Sequence, residues 1–112
     1  MSVDIDLDQD RRVALLIVRG DLTSINAPAV SGAIAGLVSH EGYDVVLDLT
    51  ETGTILAGGV RAIRRACDLA HENHRELRVA CPPSSAARPA LVLSHLDQQV
   101  GVYDTRAEAL VY

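Results

Sequence analysis

Three short, nearly unbroken apolar runs set the terms for folding this chain: Val13 to Val18, Val45 to Leu49 and Leu77 to Cys81. A strand wetted on one face alternates polar and apolar residues, so runs without that alternation read as strands covered on both faces. The stretches between them carry the helical period instead. Ala27, Val30, Ile34, Leu37 and Val38 fall on one helical face, as do Val60, Ile63, Cys67 and Ala70,. Strand and helix therefore alternate, which predicts a mostly parallel sheet flanked by helices.

The flanking segments fill in the order. Val3, Ile5 and Leu7 alternate with Asp4, Asp6 and Asp8, a strand with one wet face, and Gln9 to Arg12 suits a hairpin turn,. Gly20-Asp21 ends the second strand, Asn26 is placed to cap the first helix with Pro28 in its first turn, and Gly42 stops it,. Thr50 to Ala57 reads as a loop. Ser84 or Ser85 is placed to cap a short helix containing Leu91, Val92 and Leu93. Val100 to Tyr103 gives a last short strand, and Thr105 with Glu108 has capping-box spacing at a C-terminal helix,. The expectation is one α/β domain over residues 1–112, with four to five strands, an N-terminal β-hairpin and about four helices.

With 112 residues the chain can bury roughly two-thirds of its unfolded surface, enough for a core without disulfides or metals,. It has no Phe and no Trp, so Val, Leu, Ile and Ala must fill that core. A net charge of −5, with arginines scattered and no lysine, argues against binding nucleic acid or an anionic membrane,. No apolar run approaches the roughly 18 residues needed to cross a bilayer, and the N-terminus lacks a signal-peptide core, so a cytoplasmic protein is expected.

Three segments resemble the STAS domain family of anti-sigma factor antagonists and sulfate-transporter tails. They are Gly20-Asp21-Leu22-Thr23-Ser24-Ile25-Asn26-Ala27-Pro28, Val45-Val46-Leu47-Asp48-Leu49-Thr50, and Ser94-His95-Leu96-Asp97 with Val102-Tyr103-Asp104-Thr105 and Glu108-Ala109-Leu110. The resemblance implies a SpoIIAA-like fold and a non-enzymatic role in protein docking, with no cofactor. Its implied partner is an anti-sigma factor of the ATPase-kinase type, whose capture releases a sigma factor; a homodimer is also compatible. The alternative it leaves open is a subunit of a transporter or signalling assembly.

The departure from the family pattern is sharper than the match. Where the family's switch loop reads Asp-Ser-Ser-Gly-Leu, this chain has Leu56-Ala57-Gly58-Gly59-Val60, so Ala57 stands at the phosphoacceptor place. A methyl group cannot accept a phosphoryl group. Thr23 likewise stands where the family usually carries Asp. Thr50, Thr52 and Thr54 are the nearest hydroxyls along the chain, and all precede the acceptor place. The partner-binding surface implied is Asp21, Thr23, Leu56, Ala57, Gly58, Gly59 and Val60, with Arg61, Arg64 and Arg65 on the helix that follows.

Other candidate chemistry is thinner. Arg61, Arg64 and Arg65 are either a partner contact or a solvated face balanced by Asp68 and Glu72 through i, i+4 pairs. Gly58-Gly59 either permits a tight entry turn or leaves amides for an anion. Cys67 and Cys81 read as small core residues, with a redox pair between neighbouring helix and strand as the rival. His71 and His74 lack further ligands for a metal, and Ser94, His95 and Asp97 are too close in sequence to form a triad.

Overall fold

A computed structural model describes residues 2–111. The chain opens with strand β1 (Ser2–Asp8), β2 (Val13–Leu22) and helix α1 (Ala27–Ser39). It continues with β3 (Asp44–Asp48), β4 (Thr52–Ile55), α2 (Ala57–Glu72) and β5 (Leu77–Ala80). Helices α3 (Arg88–Leu93) and α4 (Leu96–Gln99), strand β6 (Gly101–Tyr103) and helix α5 (Arg106–Val111) complete it. The sheet runs β1-β2-β3-β5-β6; β1 and β2 are antiparallel and the other neighbours parallel.

The two-faced burial of the apolar runs follows from this order. Ala14, Leu16 and Val18 of β2, Val45, Leu47 and Leu49 around β3 and Val79 of β5 share one cluster with Val30 and Ile34 of α1 and Ile63, Ala66 and Ala70 of α2. The alternate residues Val13, Leu15, Val46 and Ala80 meet Ala109 of α5 on the opposite face. Leu16 and Leu47, paired across β2 and β3, are fully buried, each worth about 1.5–3 kcal/mol of transfer free energy. Alanines on α2 stand in for the missing aromatics by letting the helix sit close to the strands.

The structure corrects several details. The described residues form six strands and five helices, because the supposed loop contains β4 and the Leu96–Gln99 turn forms α4. Both are four residues long, too short to show a period,. Strand β2 does not end at Gly20-Asp21. Gly20 takes φ 91°, the register shifts there, and Leu22 pairs with Ile55 of β4. In β1 only Val3 packs against the core. Ile5 and Leu7 are 50% and 40% exposed because β1 is the outermost strand.

Caps differ as well. Asn26 precedes α1 but makes no cap bond; its amide turns back into the preceding loop. At α3 the N-cap position is Ala87, and Ser85 accepts the Ala87 amide instead of capping the helix. The C-terminal expectation holds, since the Thr105 hydroxyl accepts the Glu108 amide at 3.1 Å. Gly42, at φ 70°, turns the chain after α1.

Candidate functional site

Leu22 at the end of β2 positions the start of α2. Its carbonyl accepts the Leu56 amide at 2.9 Å, and the Leu56 carbonyl then accepts the Val60 amide at 3.0 Å, the first turn of the helix. Leu56 is extended, at φ −89° and ψ 174°, and half exposed. Ala57, the first residue of α2, is exposed. The position that decides the switch-loop reading therefore lies at an open helix entrance and not in the core.

Gly58 and Gly59 are there for space. Neither adopts a positive φ, so the turn itself does not demand glycine. A Cβ on Gly58 would lie 2.5 Å from both Cα and Cβ of Ser24, and one on Gly59 would lie 2.9 Å from the Leu22 carbonyl oxygen. The β2–α1 loop is pressed directly against the first turn of α2.

That loop is stapled from within. Asn26 accepts the Thr23 amide at 2.8 Å and donates to the Asp21 carbonyl at 2.9 Å, while the Thr23 hydroxyl accepts the Ile25 amide at 3.2 Å. The Asp21 carboxylate accepts the Thr54 amide at 2.9 Å. A Cβ on Gly53 would run into that carboxylate and would have to displace it from the Thr54 amide. Asp21 and Thr23 thus shape the loop through hydrogen bonds.

The three arginines separate. Arg64 donates to the Gln99 side chain at 2.7 Å and to the Ser94 carbonyl at 2.8 Å, tying α2 to the α3–α4 segment. Arg61 and Arg65 are exposed and make no hydrogen bond or ion pair among the described residues, and the pairs with Asp68 and Glu72, one of the two readings of the sequence, do not form. They line a cleft of about 250 Å³ between α1 and α2, with Ser24, Ser31 and Gly58. An apolar groove of about 600 Å³ runs along the other side of α2, past Thr54, Ala57, Val60, Ala90 and Leu93. Ile25 and Leu93, 91% and 80% exposed, stand at this end of the molecule and were not singled out from sequence.

The remaining candidates do not join this site. Cys67 and Cys81 are free thiols; burial pushes the Cys67 thiol up to about 11, helped by the Asp68 carboxylate, and burial raises Cys81 as well. Both are held protonated at neutral pH, the unreactive form. His71 and His74 are exposed, and the described residues contain no cluster of three or more groups able to hold a metal. Ser94 donates to the Ala90 carbonyl, and His95 sits at φ 62° where α3 ends. Asp48 caps its strand end, accepting the Thr50 amide at 2.9 Å and hydroxyl at 2.5 Å. Its second oxygen is held by Nε and Nη2 of Arg106, both at 2.6 Å, a contact across 58 residues that no local pattern announces.

The model of the STAS domain matches residues 4–109. The chain belongs to the STAS domain family. Its fold is similar to solved anti-sigma factor antagonists over nearly its whole length. One is a candidate anti-sigma factor antagonist from Thermotoga maritima, with TM-score 0.84, 20% identity, and coverage of 97% of this chain and 92% of that one. Another is an anti-sigma factor antagonist from Mycobacterium paratuberculosis, with TM-score 0.76, 23% identity, and 98% and 92% coverage. The phosphorylated Bacillus cell-fate determinant SpoIIAA gives TM-score 0.72, 12% identity, and 98% and 97% coverage. At these identities the likeness is one of fold. A search of curated proteins found no match to the chain. Among the described residues of this STAS domain no helix is long and apolar enough to cross a membrane.

Proposed function

We propose that this STAS domain is a non-enzymatic docking module of the anti-sigma factor antagonist type. It binds an anti-sigma factor through the entrance of α2, and by occupying that factor it releases a sigma factor. One observation carries the reading: an exposed alanine opens α2, beside the exposed side chains of Ile25 and Leu56. A flat apolar knob without titratable groups suits burial in a protein interface, whose core is depleted of charge. Arg61 and Arg65, exposed and unpaired next to it, suit an acidic rim on the partner,. The fold shared with antagonists supports the same reading.

On this reading phosphorylation at residue 57 plays no part, because Ala57 has no oxygen to modify. The same surface would serve the alternative role, a subunit of a transporter or signalling assembly, joined as a separate chain.

The test is titration calorimetry against the purified anti-sigma factors of the source cell. Arg61→Glu with Arg65→Glu should weaken binding about tenfold or more, a loss of about 1.4 kcal/mol, without lowering the thermal midpoint. No binding to any anti-sigma factor, or full binding by the double variant, would reject the reading.

A further inference from the structure

The α2 entrance carries a second feature that its alanine does not use. Ser24, at the exposed tip of the β2–α1 loop, lies in contact with Gly58, and its hydroxyl has no hydrogen bond among the described residues. Ser24 is also one of the residues that line the cleft of about 250 Å³ shared with Arg61 and Arg65. The cleft has no carboxylate in its wall, and both guanidinium groups lack partners. We infer that Ser24 is a phosphorylation site whose phosphate is received by Arg61 and Arg65, and that this modification sets whether the α2 entrance can dock.

The chemistry needs a protein kinase and a nucleoside triphosphate. The Ser24 Oγ forms a bond to the γ-phosphorus as the bond from that phosphorus to the β,γ-bridging oxygen breaks. The nucleoside diphosphate leaves with the bonding pair, and the hydroxyl proton passes to a base on the kinase. The product adds a charge of about −1.5 to −2 and three acceptor oxygens beside two unpaired arginines, where charge-assisted hydrogen bonds form.

Neighbouring hydroxyls are poorer acceptors for identifiable reasons. Thr52 is buried and donates to the Val18 carbonyl. Thr50 is bound to Asp48, and Thr23 accepts the Ile25 amide. Ser31 lies within α1 and donates to the Pro28 carbonyl. Thr54 is exposed, but its amide is held by the Asp21 carboxylate, which would repel a phosphate there. Ser24 alone among these combines exposure, a free hydroxyl and two arginines.

The modification site stands on this geometry; its effect on docking rests on the function proposed above. The full chain carrying phosphoserine at position 24, installed during translation, separates the two. In a phosphorus-31 titration its second ionisation should fall at least about half a unit below the value near 6 of an exposed phosphoserine. It should return toward 6 in the same chain with Arg61→Gln and Arg65→Gln. Phosphopeptide mapping of the native protein through growth and stress should find phosphate on Ser24. An ionisation unchanged by the arginine substitutions, or native protein with no phosphate at Ser24, overturns the inference. If the phosphorylated chain shows the shift and an anti-sigma factor binds both forms equally, the docking consequence is wrong. If no anti-sigma factor binds either form, the proposed function fails instead.

Discussion

At the residue scale, the closest packing is between Gly58 and Ser24. A methyl group there must displace backbone of the β2–α1 loop, which has no flexible end to yield. Gly58→Ala should therefore cost about 1–3 kcal/mol as an overpacking substitution. Gly32, inside α1 with open space where a Cβ would point, is the matched control. Gly32→Ala should stabilise by about 0.5–1 kcal/mol, because alanine has less freedom to lose on folding and favours the helix. Urea unfolding of the two variants checks the contrast, and changes of the same sign would remove it. Ala57 could be read from the sequence because its meaning depends on neighbours along the chain. The Gly58–Ser24 contact could not, because 34 residues separate them, and two adjacent glycines read locally as a turn.

At the scale of elements, α5 depends on one ion pair. The helix has six residues, too few to be stable alone,, and it shields the smaller apolar cluster of the sheet with little more than Ala109 and Leu110. Arg106 fixes it to the fully buried Asp48. Arg106→Ala leaves that carboxylate uncompensated. The cost should be about 2 kcal/mol, below the 3–5 kcal/mol of a fully buried pair, since the guanidinium is 43% exposed and already screened by water,. Hydrogen exchange should show the amides of residues 108–111 losing protection while those of β3 keep it; unchanged protection would mean that packing, the Thr105 cap and the Arg11 bond to the Leu110 carbonyl hold the helix without the ion pair. The long elements were legible in the sequence because their burial is periodic. Strand β4 and helix α4 were not: each is four residues long and held by distant partners, Leu22 pairing with Ile55 for the strand and Arg64 donating to Gln99 for the helix.

At the scale of the whole molecule, one edge of the sheet is β1, a seven-residue strand whose Ile5 and Leu7 remain open to solvent. Such an edge invites pairing with another copy, and charges along it are the usual safeguard. Asp4, Asp6 and Asp8 supply them, and antiparallel pairing of two copies would set like charges against one another. Replacing all three with Asn should produce self-association that rises with protein concentration in sedimentation velocity, whereas the parent chain should show none through this edge. A variant that stays monomeric up to about 1 mM would show that the carboxylates are not what protects the strand. The opposite situation holds at the β2–α1 loop, where hydrogen bonds of Asn26, Thr23 and Asp21 have already fixed the backbone before anything arrives. Little ordering entropy is left to lose at encounter, so substitutions at this end should act mainly on how long a complex survives and only weakly on how fast it assembles.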